Sequence, residues 1–425
     1  MRNYLANYNQ LAVSANLKES ALNTEQDLDT AMLVAMATIL QLDPRRESNA
    51  DELTGKEEPD SVYDLGSLTG GDLTFDKAQA QHFGFGYAFG LGSPVAGAAW
   101  GDGFKHVITP ASGLTLPSFT AAMKLGSMIF KRRFASMHVD QVTATFAKDS
   151  WAKLVLAVKG TGKSTTNITK ETVNAAYNAE SLTLASNGVQ GATAAVRLDN
   201  VHHIRVQVPD TAEWVDVVFS AVSDASPAVI TISAPGGVAT LCDYEIIYAP
   251  TAAAWETFPE RVSEPPLRVT DLVLNIGGKW SGSAIAGGHT LSEEIESIEH
   301  VLNNQLLIEF RVGGTGSYAN YAVRQGRQQT LKLNRQARDY ILQQRMADNE
   351  YIVVYMKATG AEFETGKNYY VEMVFPRCNV LKAPLAINGK FLGEAGDLVV
   401  LEDDTYGSVK VTVANMTEGY AQAET

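Results

Sequence analysis

The stretch HVDQVTATFAKDSWAKLVLAV, residues 138–158, decides how the rest of the chain is read. Val139, Gln141, Thr143 and Thr145 fall on one side of an extended chain, and His138, Asp140, Val142, Ala144 and Phe146 on the other. Successive side chains of a strand point to opposite faces, so a period of two in β-branched and aromatic residues predicts a strand. Lys148-Asp149-Ser150 supplies a turn, and 151–158 repeats the alternation. The whole reads as a β-hairpin.

Working outward, the same signal recurs. Short strands are predicted at 181–186, 203–208, 214–222, 228–233 and 238–248, with turn residues at close and regular spacing between them. Further strands are predicted at 350–358, 369–375, 398–402 and 408–414. One amphipathic helix is predicted at 335–346. The fold class is mainly β with a few short helices. Segment 180–262 has the strand spacing of a small β-sandwich, and 249–266, rich in Ala and Pro, reads as a linker. Four regions result: an N-terminal acidic arm at 1–60, a β unit at 61–169, an inserted β-sandwich-like domain at 170–264, and a second β unit at 265–425.

The arm holds eleven acids against five bases. Its one apolar run, 31–42, suits helix or strand and is too short to span a bilayer. Segment 44–60 reads as a polar loop. The two β units carry a faint internal similarity: LTFDKAQAQHF (73–83) can be laid on LKLNRQARDYI (331–341). Both read as a strand end, an Asx helix cap and an amphipathic helix. A tandem duplication interrupted by the insert follows from that pairing.

Composition bounds the function. The 425 residues carry a net charge of −14, which disfavours wrapping DNA through its phosphates. Cys242 and Cys378 are far apart and lack metal-ligand spacing, so a disulfide framework is not expected. The first residues lack the charged and apolar pattern of a secretory signal.

Several motifs imitate chemistry. Gly162-Lys163-Ser164 in LAVKGTGKSTT resembles a phosphate cradle, but Ala157 stands where the first glycine is required, and the β-branched run 164–169 opens a helix poorly. Gly84-Phe85-Gly86-Tyr87-Ala88-Phe89-Gly90 resembles a dinucleotide fingerprint without the preceding strand, and reads better as packed aromatics among glycines at the end of a helix. His202-His203 would point to opposite faces of a strand. Lys131-Arg132-Arg133 is too short for a nucleic-acid patch. No G-x-S-x-G pentapeptide occurs. No catalytic residue, cofactor or metal site is predicted, and an NTPase is kept only as the remote enzyme alternative.

A family resemblance lies in the order of the segments. LPSFTAAMKLGSMIFKRRFASMHVDQVTATFAKDSWAKLVLAVKGTGKST, preceded by the arm, resembles the first half of a long-tailed bacteriophage tail tube protein. VTDLVLNIGGKW, GRQQTLKLNRQARDYILQQRMADNEYIVVYMKATG and YYVEMVFPRCNVLKAP are similar to its second half. The resemblance covers most of the chain except 170–265, and implies tandem tail-tube-type β-sandwich or barrel units. It implies a structural virion protein whose stacked rings enclose a channel for DNA during ejection, assembled in the host cytoplasm and without a membrane. The implied partners are further copies of itself, the tape measure protein, and tail terminator and distal tail proteins. DNA passes through the lumen without specific binding. If the two units are copies, three chains make a pseudo-hexameric ring; a hexamer is the alternative. Another virion or extracellular structural protein, such as a baseplate, fibre or surface-layer component, is the competing reading. The insert is expected to project outward.

Contacts between subunits are expected where charge concentrates. From 324 to 345 the chain carries Arg324, Arg327, Lys332, Arg335, Arg338 and Arg345 against Asp339 alone. Arg335, Arg338 and Arg345 would share a face of the predicted helix. Their expected complements on a neighbour are Glu57 and Glu58 in the arm and Asp403 and Asp404 near the end of the chain.

Overall fold

In a computed structural model of the chain, the described residues are 9–125, 130–209, 211, 213–251, 258–291, 293–314 and 316–424. Strands make up 52% and helices 7%, so the protein is mainly β. The chain forms two compact units: one holds Ser164–Phe258 and Ala122–Arg133, the other Leu11–Ala121, Phe134–Lys163 and Pro259–Thr425.

The first unit is built on two sheets. Four antiparallel strands, Thr169–Ala176, Leu241–Tyr248, Val201–Gln207 and Trp214–Asp216, pair in that order. Three more, Ser181–Thr183, Val229–Ile232 and Phe219–Val222, form the second sheet. Leu182, Ile230 and Ile232 from one sheet and Ile204, Val206, Tyr244 and Ile246 from the other lie in one hydrophobic core. A helix at Ala194–Asp199, which the strand pattern does not anticipate, starts where the Thr193 side chain accepts from Val196 N–H. Of the predicted linker, 252–257 lie outside the described residues, as do 1–8 of the arm.

The second unit draws on the chain to both sides of the first. Its main elements are β1 (Gln41–Ser48), β2 (Val62–Phe75), α1 (Ala80–Leu91), β3 (Gly103–Ile108), β4 (Phe130–Ala147), β5 (Lys153–Gly160), β6 (Ile295–Asn303), β7 (Gln328–Gln336), α2 (Ile341–Ala347), β8 (Tyr351–Glu364), β9 (Lys367–Lys382), β10 (Leu385–Asn388), β11 (Phe391–Val400) and β12 (Lys410–Asn415). The hairpin expected at 138–158 is β4–β5, with Leu154 opposite Ala144 and Leu156 opposite Val142. Asp149 takes a left-handed φ of 56° in its turn. Antiparallel pairing runs β1–β2–β5–β4–β6–β7–β11–β9–β12–β3. Strands from before the insertion therefore join strands from after it twice, at β4–β6 and at β12–β3.

Two local expectations change. The segment read as a polar loop from residue 44 begins within β1, where Pro44 is tolerated in a two-stranded ribbon that needs fewer backbone donors. The aromatic–glycine run is not the end of a helix but the body of α1, every residue of which is buried. Its N-cap is Gln79, whose backbone N–H donates to His82 Nδ1, while Asp76 pairs with Lys153 at the surface.

A helix buried on all sides needs partners at both ends for its unpaired N–H and C=O groups. At the N-terminus the Glu264 carboxylate accepts from Gln81 N–H at 3.1 Å, and its other oxygen accepts from Met416 N–H. At the C-terminus Arg327 Nη2 donates to Leu91 O at 2.9 Å. An acid at the positive end and a base at the negative end also complement the helix dipole. Along the helix Phe83 stacks on Phe146, and Phe85 and Phe89 meet Phe119 edge-on. Its glycines admit side chains from elsewhere: a Cβ on Gly84 would lie 2.5 Å from the Tyr420 ring.

Gly84→Ala ordinarily favours a helix by about 1 kcal/mol. Here overpacking against Tyr420 should outweigh that gain and leave the protein about 1–3 kcal/mol less stable. Denaturant unfolding checks this, and a higher midpoint for the variant would contradict the packing account.

Candidate functional site

The charged residues singled out in the sequence divide sharply. Residue 335 is not on a helix: β7 continues to Gln336, and α2 begins only at Ile341 with Tyr340 as N-cap. Arg335 follows the alternation of β7, with Gln329, Leu331 and Leu333 buried on the same face, and is itself 1% exposed. Its Nε donates to Glu394 Oε2 at 2.7 Å, Nη1 to Glu294 Oε2 at 3.1 Å, and Nη2 to Asp339 Oδ1 at 2.8 Å. Gln343 holds the other oxygen of Glu394. Arg335 holds the Asp339 carboxyl below its usual range, chiefly by hydrogen bonding. The expected contact with a neighbouring chain through Arg335 is therefore corrected: its guanidinium is consumed inside its own subunit.

Its companions fare variously. Arg338 is exposed. Arg345, half-exposed, pairs with Glu350. Arg324 and Arg327 turn inward, both donating to Ala111 O, so the basic stretch does not form one surface stripe. Asp403 accepts from Thr405 and Tyr406 N–H in a turn, whereas Asp404, Glu57 and Glu58 are exposed.

The imitations of catalytic motifs have internal explanations. Lys163 Nζ donates to Asn23 O at 2.6 Å and lies 5.9 Å from the centre of the Tyr318 ring. Gly162 has φ +90°, and a Cβ there would strike Ser67 O, so glycine is required by a tight crossing. Residues Ser164–Thr166 are a strand, leaving no helix N-terminus facing the loop. His203 pairs with Asp216 at 2.8 Å. His289, Glu294 and Asp339 bring one ligand atom each within 4.8 Å of one another, but the Arg335 guanidinium already bonds both carboxylates and supplies the positive charge there.

Four histidines are buried. Burial pushes His82 down to about 3 and His138 and His300 down to about 4. His300 Nδ1 lies 2.6 Å from the Tyr87 hydroxyl, and its Nε2 lies 3.2 Å from Gln329 Oε1. A neutral ring accepting from Tyr87 and donating to Gln329 fits both contacts. Burial also raises the Glu264 carboxyl to about 7. These groups are packed into the body and serve its internal hydrogen bonding.

The surface features missed in the sequence are two hairpins. In the first, β1 and the outer part of β2 form a ribbon, Ser48 opposite Val62 and Leu42 opposite Thr69, with nearly every side chain of β1 exposed. Leu53, Val62, Tyr63 and Leu65 are exposed on it. In the second, β10 pairs with the start of β11, Asn388 opposite Phe391, and exposes Leu385, Ile387, Phe391 and Leu392, with Ile387 82% accessible. Asn388-Gly389 between alternating apolar residues is a strong hairpin signal and could have found the second one.

No protein-family model matches the chain, and no curated protein matches it. Among the described residues, no helix is long and apolar enough to cross a membrane.

Proposed function

We propose that the chain is a structural subunit that assembles with copies of itself, as the major tail tube protein of a long-tailed phage. The observation that carries this reading is the pair of exposed hairpins, with Leu385, Ile387 and Leu392 on one face of the second and Tyr63 and Leu65 on one face of the first. Large apolar residues grouped on an exposed surface mark contact surfaces, whereas single exposed ones do not. The antiparallel body that ties strands from both sides of the insertion together suits a wall element. The negative net charge suits a channel past which DNA slides without adhering.

In this reading three chains close a ring of pseudo-sixfold symmetry, and rings stack into a tube. Native mass spectrometry of the purified, concentrated protein tests it: a closed species of three chains is expected. A ring of six would replace the trimer, and a strictly monomeric protein at all concentrations would remove the reading.

A further inference from the structure

We infer that the β10–β11 hairpin of one copy docks on the β1–β2 ribbon of a second copy; the inference rests on the self-assembly reading above. The two surfaces differ in charge and share apolar character. Residues 381–392, LKAPLAINGKFL, carry Lys382 and Lys390 and no acid. Both lysines are exposed beside Leu381, Leu385, Ile387, Phe391 and Leu392. Residues 41–65 carry eight acids against Arg45, Arg46 and Lys56. Those three bases are taken locally, by Asp43, Asp64 and Asp60 respectively. Glu47, Asp51, Glu57 and Glu58 are exposed and have no basic partner among the described residues. The ribbon thus offers unbalanced acids beside Tyr63 and Leu65, and the hairpin offers Lys390 beside Leu385, Ile387 and Leu392, with Lys382 standing opposite the exposed Asp397 of the neighbouring strand.

Like hairpins facing one another would set lysine against lysine, or acid against acid. Hairpin on ribbon removes both penalties and buries both apolar clusters together. Apolar burial supplies the strength of such a contact, and the opposite charges supply register and partner choice. Because the two patches are different surfaces of one chain, the contact is heterologous: each copy uses its hairpin on one neighbour and its ribbon on another, which generates a ring or a filament. The acids of the arm thereby find a partner other than Arg335, whose guanidinium is buried and already paired.

The test mixes ¹⁵N-labelled and unlabelled full-length protein, joins touching lysines and carboxylates with a zero-length carbodiimide, and maps the links by mass spectrometry. Mixed-isotope links from Lys382 or Lys390 to the acids of 47–58 are expected. Ile387→Glu, checked for native circular dichroism, should raise the concentration needed for half-association at least about tenfold. Association with no such links and an unchanged midpoint for Ile387→Glu would overturn the inference and leave the assembly reading standing. Links without tubes would support the docking and remove the tube. No association at any concentration would overturn both.

Discussion

Arg335→Ala should destabilise the protein by about 3–5 kcal/mol, because it removes one partner of a buried ion cluster and leaves the others charged. The Glu394 side chain is 0% exposed and the Glu294 side chain 9% exposed, so water cannot replace the guanidinium at either. Asp339 would lose its bidentate partner but is a quarter exposed and can be hydrated. The penalty therefore lies at Glu394 and Glu294. Arg335→Met combined with Glu394→Leu and Glu294→Leu should recover much of the loss, since apolar side chains replace every buried charge of the cluster. Urea unfolding of the variants measures this. A loss below about 1 kcal/mol for Arg335→Ala would be the value expected of an exposed pair and would place the side chain at the surface.

Acidification should be the second large effect. His82, His138 and His300 have folded pKa values of about 3, 4 and 4, below the unfolded value of 6.5. The unfolded chain takes up protons first, so the stability these groups contribute is present above pH 6.5 and is lost as pH falls toward 4. At pH 5 each costs about 2 kcal/mol relative to neutral pH. Glu264 acts in the opposite sense: its folded value of about 7 lies above the unfolded 4.5, so its contribution is full below pH 4.5 and is lost as pH rises through 7. Moving from pH 7.5 to 5 returns about 2.5 kcal/mol through Glu264. Three histidines outweigh one glutamate, and the melting temperature should fall over this range. Glu264→Gln removes the opposing term, so its melting temperature should fall more steeply than that of the unmodified chain. A flat profile, or a shallower one in Glu264→Gln, would show that these groups titrate normally.

The strands are the legible part of this chain because most are half-buried, and a half-buried strand writes its alternation into the sequence, as 138–158 does. The helix α1 marks its start, read at 73–83, but not its length. AQHFGFGYAFGL is buried on every side, so it has no polar face to set a helical period, and its glycines imitate a loop. Arg335 is misread for a related reason. Arg335, Arg338 and Arg345 satisfy a helical spacing, yet Gln329, Leu331, Leu333 and Arg335 equally satisfy a strand spacing, and the strand prevails in the structure. What decides between them is Glu294 and Glu394, each tens of residues away, and one chain does not reveal such pairings. The P-loop imitation is resolvable from the sequence because a helix must follow its glycines and β-branched residues follow instead. The first hairpin escapes because β1, QLDPRRES, is polar and reads as a loop, and the exposure of the second escapes because an apolar alternation looks the same whether its face meets the core or solvent.

Electron microscopy of the purified 425-residue chain, concentrated at low salt, tests whether it builds a tube. Hollow tubes of uniform bore, with a cross-section of pseudo-sixfold symmetry built from three chains per ring, are the predicted result. Dispersed single particles of one chain, with no tubes at any concentration, would contradict it.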